Sequence, residues 1–172
     1  MQEIYIENLK EVLRNKVIIQ KELGIKLSNK GHNVFVNGKA ASEFLAIEVL
    51  EAVNLGFSVD AALQLKQDNV ILQTVNIKDI TKRHDLERVR ARIIGTQGRT
   101  LKTLDNLTKC DLSLHDNQIG IIGNTEEIEF AIQAITSLVQ GSKQGNVYGR
   151  LEREKKKKRL EDNDINPEID KE

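Results

Sequence analysis

Apolar positions along the chain change period in a way that marks helices and strands. Ile128, Ala131, Ile132, Ile135, Leu138 and Val139 recur at three- and four-residue spacing, one face of a helix. Asn124 stands where an N-cap would, with Glu127 three residues on, and Gly141 stands where the helix should stop. Upstream the period drops to two. Cys110, Leu112 and Leu114 alternate with polar residues, and Asp116-Asn117 supplies a tight turn into "QIGII". Leu101, Leu104 and Leu107 mark a further helix, and "LERVR" (86–90) reads as a short strand before it. The order is β-α-α-β-β-α.

The first half reads likewise: "EIYIE", a helix to about Glu22, "IKLS", "NVFV", and a helix from about Ala41 to Leu55 closed by Gly56. A shift of 85 positions lays Gly38 on Gly123, Leu27 on Leu112, Val36 on Ile121, Ala46 on Ala131 and Gly56 on Gly141 without a gap. Against chance matching, the coincidence of turn glycines and helix faces favours two copies of one small domain. The expected division is 1–57 for the first copy, 58–81 for a connecting helix and strand (Ser58 to Leu65, then 69–77), 82–154 for the second copy, and 155–172 for a basic then acidic tail.

Average charge adds little, because 26 Lys/Arg balance 26 Asp/Glu. Its distribution adds more. Residues 82–102 carry seven basic side chains against Asp85 and Glu87, and residues 150–159 carry seven against Glu152 and Glu154. Two basic islands suit local anion recognition. "REKKKKR" reads as a solvated helix extension or disordered arm, with phosphate contact as the alternative. The acidic segment after it is expected to be disordered. Cys110 is the only cysteine, which fits a reducing compartment, and no apolar run approaches a membrane span. A cytosolic protein without a membrane partner is expected. His32, His84 and His115 are scattered, so no metal site or cofactor is expected. No motif joins Ser, His and Asp, so no catalytic residue is nominated and the chain is not expected to be an enzyme.

One motif in the first island carries chemistry. "RIIGTQGRT" (92–100) sets Gly95-Thr96-Gln97-Gly98 between a helical turn and a helix start, with arginines on both sides. Unpaired N–H groups there favour an anion, and glycines let a phosphodiester approach. Ile93 stands where a Walker loop or a dinucleotide fingerprint would need glycine. A Gly-x-x-Gly loop alone could be an ordinary turn. Within β-α-α-β-β-α it matches the KH module, whose loop clamps nucleic-acid backbone. The expected fold class is α+β, with two tandem type I KH domains, the first without its glycine loop, because Lys10-Glu11-Val12-Leu13 stands opposite Gly95–Gly98. An undisrupted helix there suits docking to the sibling copy or to a protein; RNA binding by another surface is the alternative. The candidate RNA-binding residues are Arg90, Arg92, Ile94, Gly95, Thr96, Gln97, Gly98, Arg99 and Lys102 on one wall, and Asp111, Ser113 and His115 on the other.

A degenerate KH copy before an intact one resembles the archaeal and eukaryotic small-subunit ribosome assembly factors that partner the Nob endonuclease. The stretches that carry the resemblance are "RVRARIIGTQGRTLKTLDNLTKCDLSL", "IGIIGNTEEIEFAIQAI", "GNVYGRLER" (145–153) and "AIEVLEAVNLGFSVDAALQL" (46–65). Generic KH domains lack the last two. The short chain points to the archaeal branch, although archaeal members usually keep a glycine loop in the first copy. The resemblance implies single-stranded RNA near the 3′ end of small-subunit ribosomal RNA as ligand. It implies the rRNA-trimming endonuclease as partner, and contact with the alpha subunit of translation initiation factor two. It carries RNA contact only to Arg90–Lys102. The competing class is a protein-interaction adaptor in which the glycine loop is structural.

Overall fold

The computed structural model describes residues 1–165. The first copy runs β1 (Gln2–Tyr5), α1 (Leu9–Arg14), α2 (Lys16–Leu23), β2 (Lys26–Lys30), β3 (Asn33–Asn37) and α3 (Ala40–Asn54). Short α4 (Val59–Ala62) and a 3-10 turn at Leu63–Lys66 lead to β4 (Val70–Asn76). Then follow α5 (Ile77–Ile80), α6 (Leu86–Ile94), α7 (Arg99–Thr108), β5 (Asp111–His115), β6 (Gln118–Asn124), α8 (Thr125–Val139) and α9 (Gln144–Ile165). Two three-stranded antiparallel sheets result, ordered β1-β3-β2 and β4-β6-β5. The fold is α+β, and each copy has the strand order of a type I KH domain.

Two expectations are corrected. "LERVR" is not a strand: it opens α6, whose Val89 and Ile93 are buried at helical spacing. The strand of that role is β4, expected only as a connector, which pairs with β6 from Val70↔Asn124 to Asn76↔Gln118. The shift of 85 holds from α2 onward, and β2/β5 and α3/α8 coincide end to end. It fails at the first strand. Ile4 pairs with Val34 and Val75 with Ile119, so the first strands are offset by 71 and the second copy holds fourteen more residues before its second helix. The second correction concerns the tail. Residues 155–165 belong to α9. Its base is anchored by buried Val147 and Leu151, and Lys, Arg, Glu and Leu then propagate a helix at low cost. Lys158 pairs with Glu126 at 2.6 Å and Lys157 with Glu161 at 3.9 Å. The rest of the expected tail, 166–172 with Pro167, lies outside the described residues.

β6 is buried on both faces. Ile119 and Ile121 join the core under α8, whereas Ile122 joins the core of the first copy. The turn after α3 docks on that second face. A Cβ on Gly120 would meet Phe57 Cε2 at 2.6 Å and Leu55 Cδ1 at 3.2 Å, so only glycine lets Leu55 and Phe57 sit this close to the strand. Ser113 Oγ donates to the Leu55 carbonyl at 2.7 Å. The stretch 46–65 is thus the joint between the copies.

Candidate nucleic-acid interface

α6 ends at Gly95, whose N–H donates to Ala91 O at 2.8 Å. The chain then reverses through backbone that side chains resist: φ is +74° at Gly95, +55° at Gln97 and +73° at Gly98. Thr96, Gln97 and Arg99 are exposed, and the first N–H groups of α7 have no intrahelical acceptor. Gly95 is required for a second reason. Its Cβ would collide with Thr100, whose backbone nitrogen would lie 2.8 Å away. Thr100 is itself buried, and its Oγ1 accepts from Gln144 Nε2 at 2.9 Å. The start of α9 therefore braces the loop from beneath. Neither Thr100 nor Gln144 was nominated from sequence. Thr100 reads as an ordinary first-turn threonine, and nothing in the sequence ties Gln144 to it.

Ile94, Gly95, Thr96, Gln97, Gly98, Arg99 and Lys102 gather on one surface, with the Ile94 side chain 38% exposed beside the loop. Arg99 and Lys102 form no ion pair among the described residues, leaving both charges for a ligand.

The other five nominated residues lie elsewhere or are occupied. Arg92 reaches the carbonyls of Gly141, at 3.0 Å, and Ser142, capping the end of α8. Arg90 Nη1 donates to Asn117 Oδ1 at 2.6 Å, tying α6 to the β5–β6 turn. Asp111, Ser113 and His115 are on the face of β5 opposite Leu112 and Leu114, and that face meets the first copy. Asp111 accepts from Gln64 Nε2, Ser113 holds Leu55, and His115 Nε2 lies 3.0 Å from Glu7 Oε2. Their side chains form a joint between copies, not a wall facing the loop. The period of two explains this: polar positions of β5 point away from the helices, and the space there is filled by protein.

The strand edge near α7 is set by Asp105. Its Oδ1 accepts from the Leu112 N–H at 3.1 Å, and in the first copy Gln20 Oε1 accepts from the Leu27 N–H at 2.8 Å. Gln20 and Asp105 are related by the shift of 85, so one side-chain oxygen performs the same task twice. Burial pushes the Asp105 carboxyl up to about 7, against the pull of that hydrogen bond, with neighbouring Asp111 adding to the rise. Burial likewise pushes the Cys110 thiol up to about 12, so it packs as an apolar residue.

In the first copy no loop interrupts the helices. Asn15 N donates to Glu11 O at 3.2 Å and Ile19 N to Asn15 O at 3.0 Å, so the ladder runs from α1 into α2 through one bend.

Residues 71–156 match the family model for the second KH domain of PNO1, described as a eukaryotic type KH-domain, KH-domain type I. The chain belongs to this family. The PNO1 match begins inside β4 and ends within α9, so it takes in both elements in part. A KH domain-containing protein of Methanocaldococcus jannaschii is 29% identical over 149 residues, covering 83% of this chain and 66% of that protein. The pre-rRNA-processing protein PNO1 of Candida albicans is 38% identical over 108 residues, covering 60% of this chain and 39% of that protein. The chain thus spans between about two fifths and two thirds of the length of these two relatives. Among solved structures, the a/eIF2alpha–aDim2p–rRNA complex of Pyrococcus horikoshii OT3 holds a chain similar to this one. The TM-score is 0.81 at 29% identity, covering 91% of this chain and 94% of that one.

Proposed function

We propose that this chain is a non-enzymatic, single-stranded RNA-binding protein that acts in the cytosol in assembly of the small ribosomal subunit. Its ligand is small-subunit rRNA near the 3′ end, held at Gly95–Gly98. One observation carries the reading: an exposed, left-handed glycine loop opens α7 beside unpaired Arg99 and Lys102, within the strand order of a type I KH domain. The relatives support it, being named for pre-rRNA processing and, in one complex, for rRNA. Phosphate contacts supply affinity without sequence choice. That choice falls to apolar contact at Ile94 and to the backbone edge of β5 beyond Leu112, whose N–H Asp105 already holds, since the β5 polar side chains are engaged. Competition at fixed salt tests the ligand: a 3′-end oligonucleotide should outcompete a scrambled one of equal composition, and duplex should compete poorly. Equal competition would reduce the reading to a generic RNA binder.

A second reading, contact with proteins, applies to the first copy. Leu13, Val17 and Ile18 are 44%, 76% and 47% exposed on the helix pair that replaces the glycine loop. An apolar stripe of this kind suits a protein rather than phosphate. The partners proposed for the chain are the rRNA-trimming endonuclease and the alpha subunit of initiation factor two. Pull-down of each with wild type and with Val17→Glu tests the stripe.

A further inference from the structure

The exposed face of α7 leads charge away from the glycine loop. Arg99, Lys102 and Asn106 follow one another on α7 at three- and four-residue spacing, Lys109 comes next as its left-handed C-cap, and all four are exposed. The opposite face, with Thr100, Leu104 and Thr108, is buried. At about 1.5 Å per residue this stripe runs roughly 15 Å from the loop. Lys109 ends it and lines a cleft of about 420 Å³ between α7 and α9 together with Lys155 and Arg159.

Acids are present in the cleft too. Glu127 lines it from α8, and Glu154 and Asp162, with Lys158, face both it and the groove on the α8 side, where Lys157 and Glu161 lie; Lys158 is held by Glu126. Lys155 and Arg159 line only the α7 side. Among the described residues, Lys109, Lys155 and Arg159 make no ion pair. No large apolar side chain is exposed on α7 to anchor a protein.

We propose that this stripe and the α9 arm form a second RNA contact. Single-stranded RNA leaving the Gly95–Gly98 loop continues over Arg99, Lys102 and Lys109 to Lys155 and Arg159. The inference rests on the RNA-binding reading and extends it. The contact is to phosphates, so it lengthens the footprint and strengthens binding without adding sequence choice. It also gives "REKKKKR" a role on one side of the helix only.

The test uses the full chain and two single-stranded RNAs, one of about four nucleotides, the KH footprint, and one of about twelve. Lys155→Gln/Arg159→Gln should leave the short RNA unaffected and weaken the long one about fivefold. Its salt slope on the long RNA should fall by about 1.4, from roughly 0.7 per phosphate contact on single strands. Lys156→Gln/Lys157→Gln removes the same charge from residues that do not line the cleft and should bind both RNAs as wild type does. Gln keeps helix propensity, and circular dichroism confirms it. Equal losses in the two variants, or none on the long RNA, would overturn the track. Thr96→Asp/Gln97→Asp separates the two readings. If it loses both RNAs while Lys155→Gln/Arg159→Gln loses neither, the track fails and the clamp stands. If it binds both as wild type does, the clamp fails and the track with it.

Discussion

Thr100 occupies the space that a side chain on Gly95 would need: a Cβ there would lie 2.7 Å from Thr100 Cβ. The two glycines of the loop are therefore not equivalent. Gly98 has open space around its would-be Cβ, so within the protein only its φ of +73° asks for glycine. Gly98→Ala should cost about 1–2 kcal/mol, the left-handed penalty. Gly95→Ala should cost more and disorder the loop. Thermal melts of both variants, read beside RNA titrations, check the ranking. Equal melting temperatures would contradict it.

Two carboxylates in the loop should oppose phosphate directly. Thr96→Asp/Gln97→Asp changes exposed side chains, so the fold should persist. Binding of single-stranded RNA should fall at least about tenfold, or roughly 1.4 kcal/mol. Unchanged affinity in the folded variant would remove the clamp.

Asp105 should make stability depend on pH in an unusual direction. Its carboxyl rises from 3.8 to about 7 on folding, so the folded state binds the extra proton. Stability from this group is full below about pH 4 and declines as pH rises towards about 7. Asp105→Asn keeps an oxygen for the Leu112 N–H, as Gln20 does for Leu27. The variant should be more stable at pH 8 by about 1–2 kcal/mol, discounted because the group is only half-buried, and equal to wild type near pH 4. Denaturant titrations at both pH values read this directly.

A fragment of residues 82–154 should not fold. It lacks β4 and so leaves one edge of β6 unpaired over seven residues, Gln118–Asn124. A fragment of 68–165 restores that edge and should regain part of the ellipticity missing from 82–154, but stay below the intact chain because Gly120 and Ile122 lose Leu55 and Phe57. A dispersed amide spectrum from 82–154 would contradict the strand assignment.

Periodicity made most of the fold legible. The stripes of α3 and α8 and the alternation of β2 and β5 are strong, and the shift of 85 joins them without a gap. The first strand of the second copy was hidden for two reasons. As an edge strand β4 is half-exposed along most of its length, so its alternation is blunt. The fourteen extra residues also break the register in the one place where an ungapped comparison has no signal. At the candidate site the glycines and their neighbours stood out because backbone geometry demands particular residues. Arg90 and Arg92 show the limit. Sequence supplies each guanidinium, but Asn117 decides where Arg90 points and the carbonyls of Gly141 and Ser142 decide where Arg92 points. Asp111, Ser113 and His115 were placed on the outer face of their strand by alternation. That the outer face meets another domain is a tertiary fact.

The two-sided burial of β6 bears on why a copy without its glycines persists. Its partner's central strand depends on it for half of its dry surroundings, through Leu55, Phe57 and the Gly120 contact. The halves are therefore one cooperative unit, and calorimetry should record a single transition in which neither melts alone. On the proposed function the two copies divide the labour: one meets the RNA, and the other supplies part of its sibling's interior.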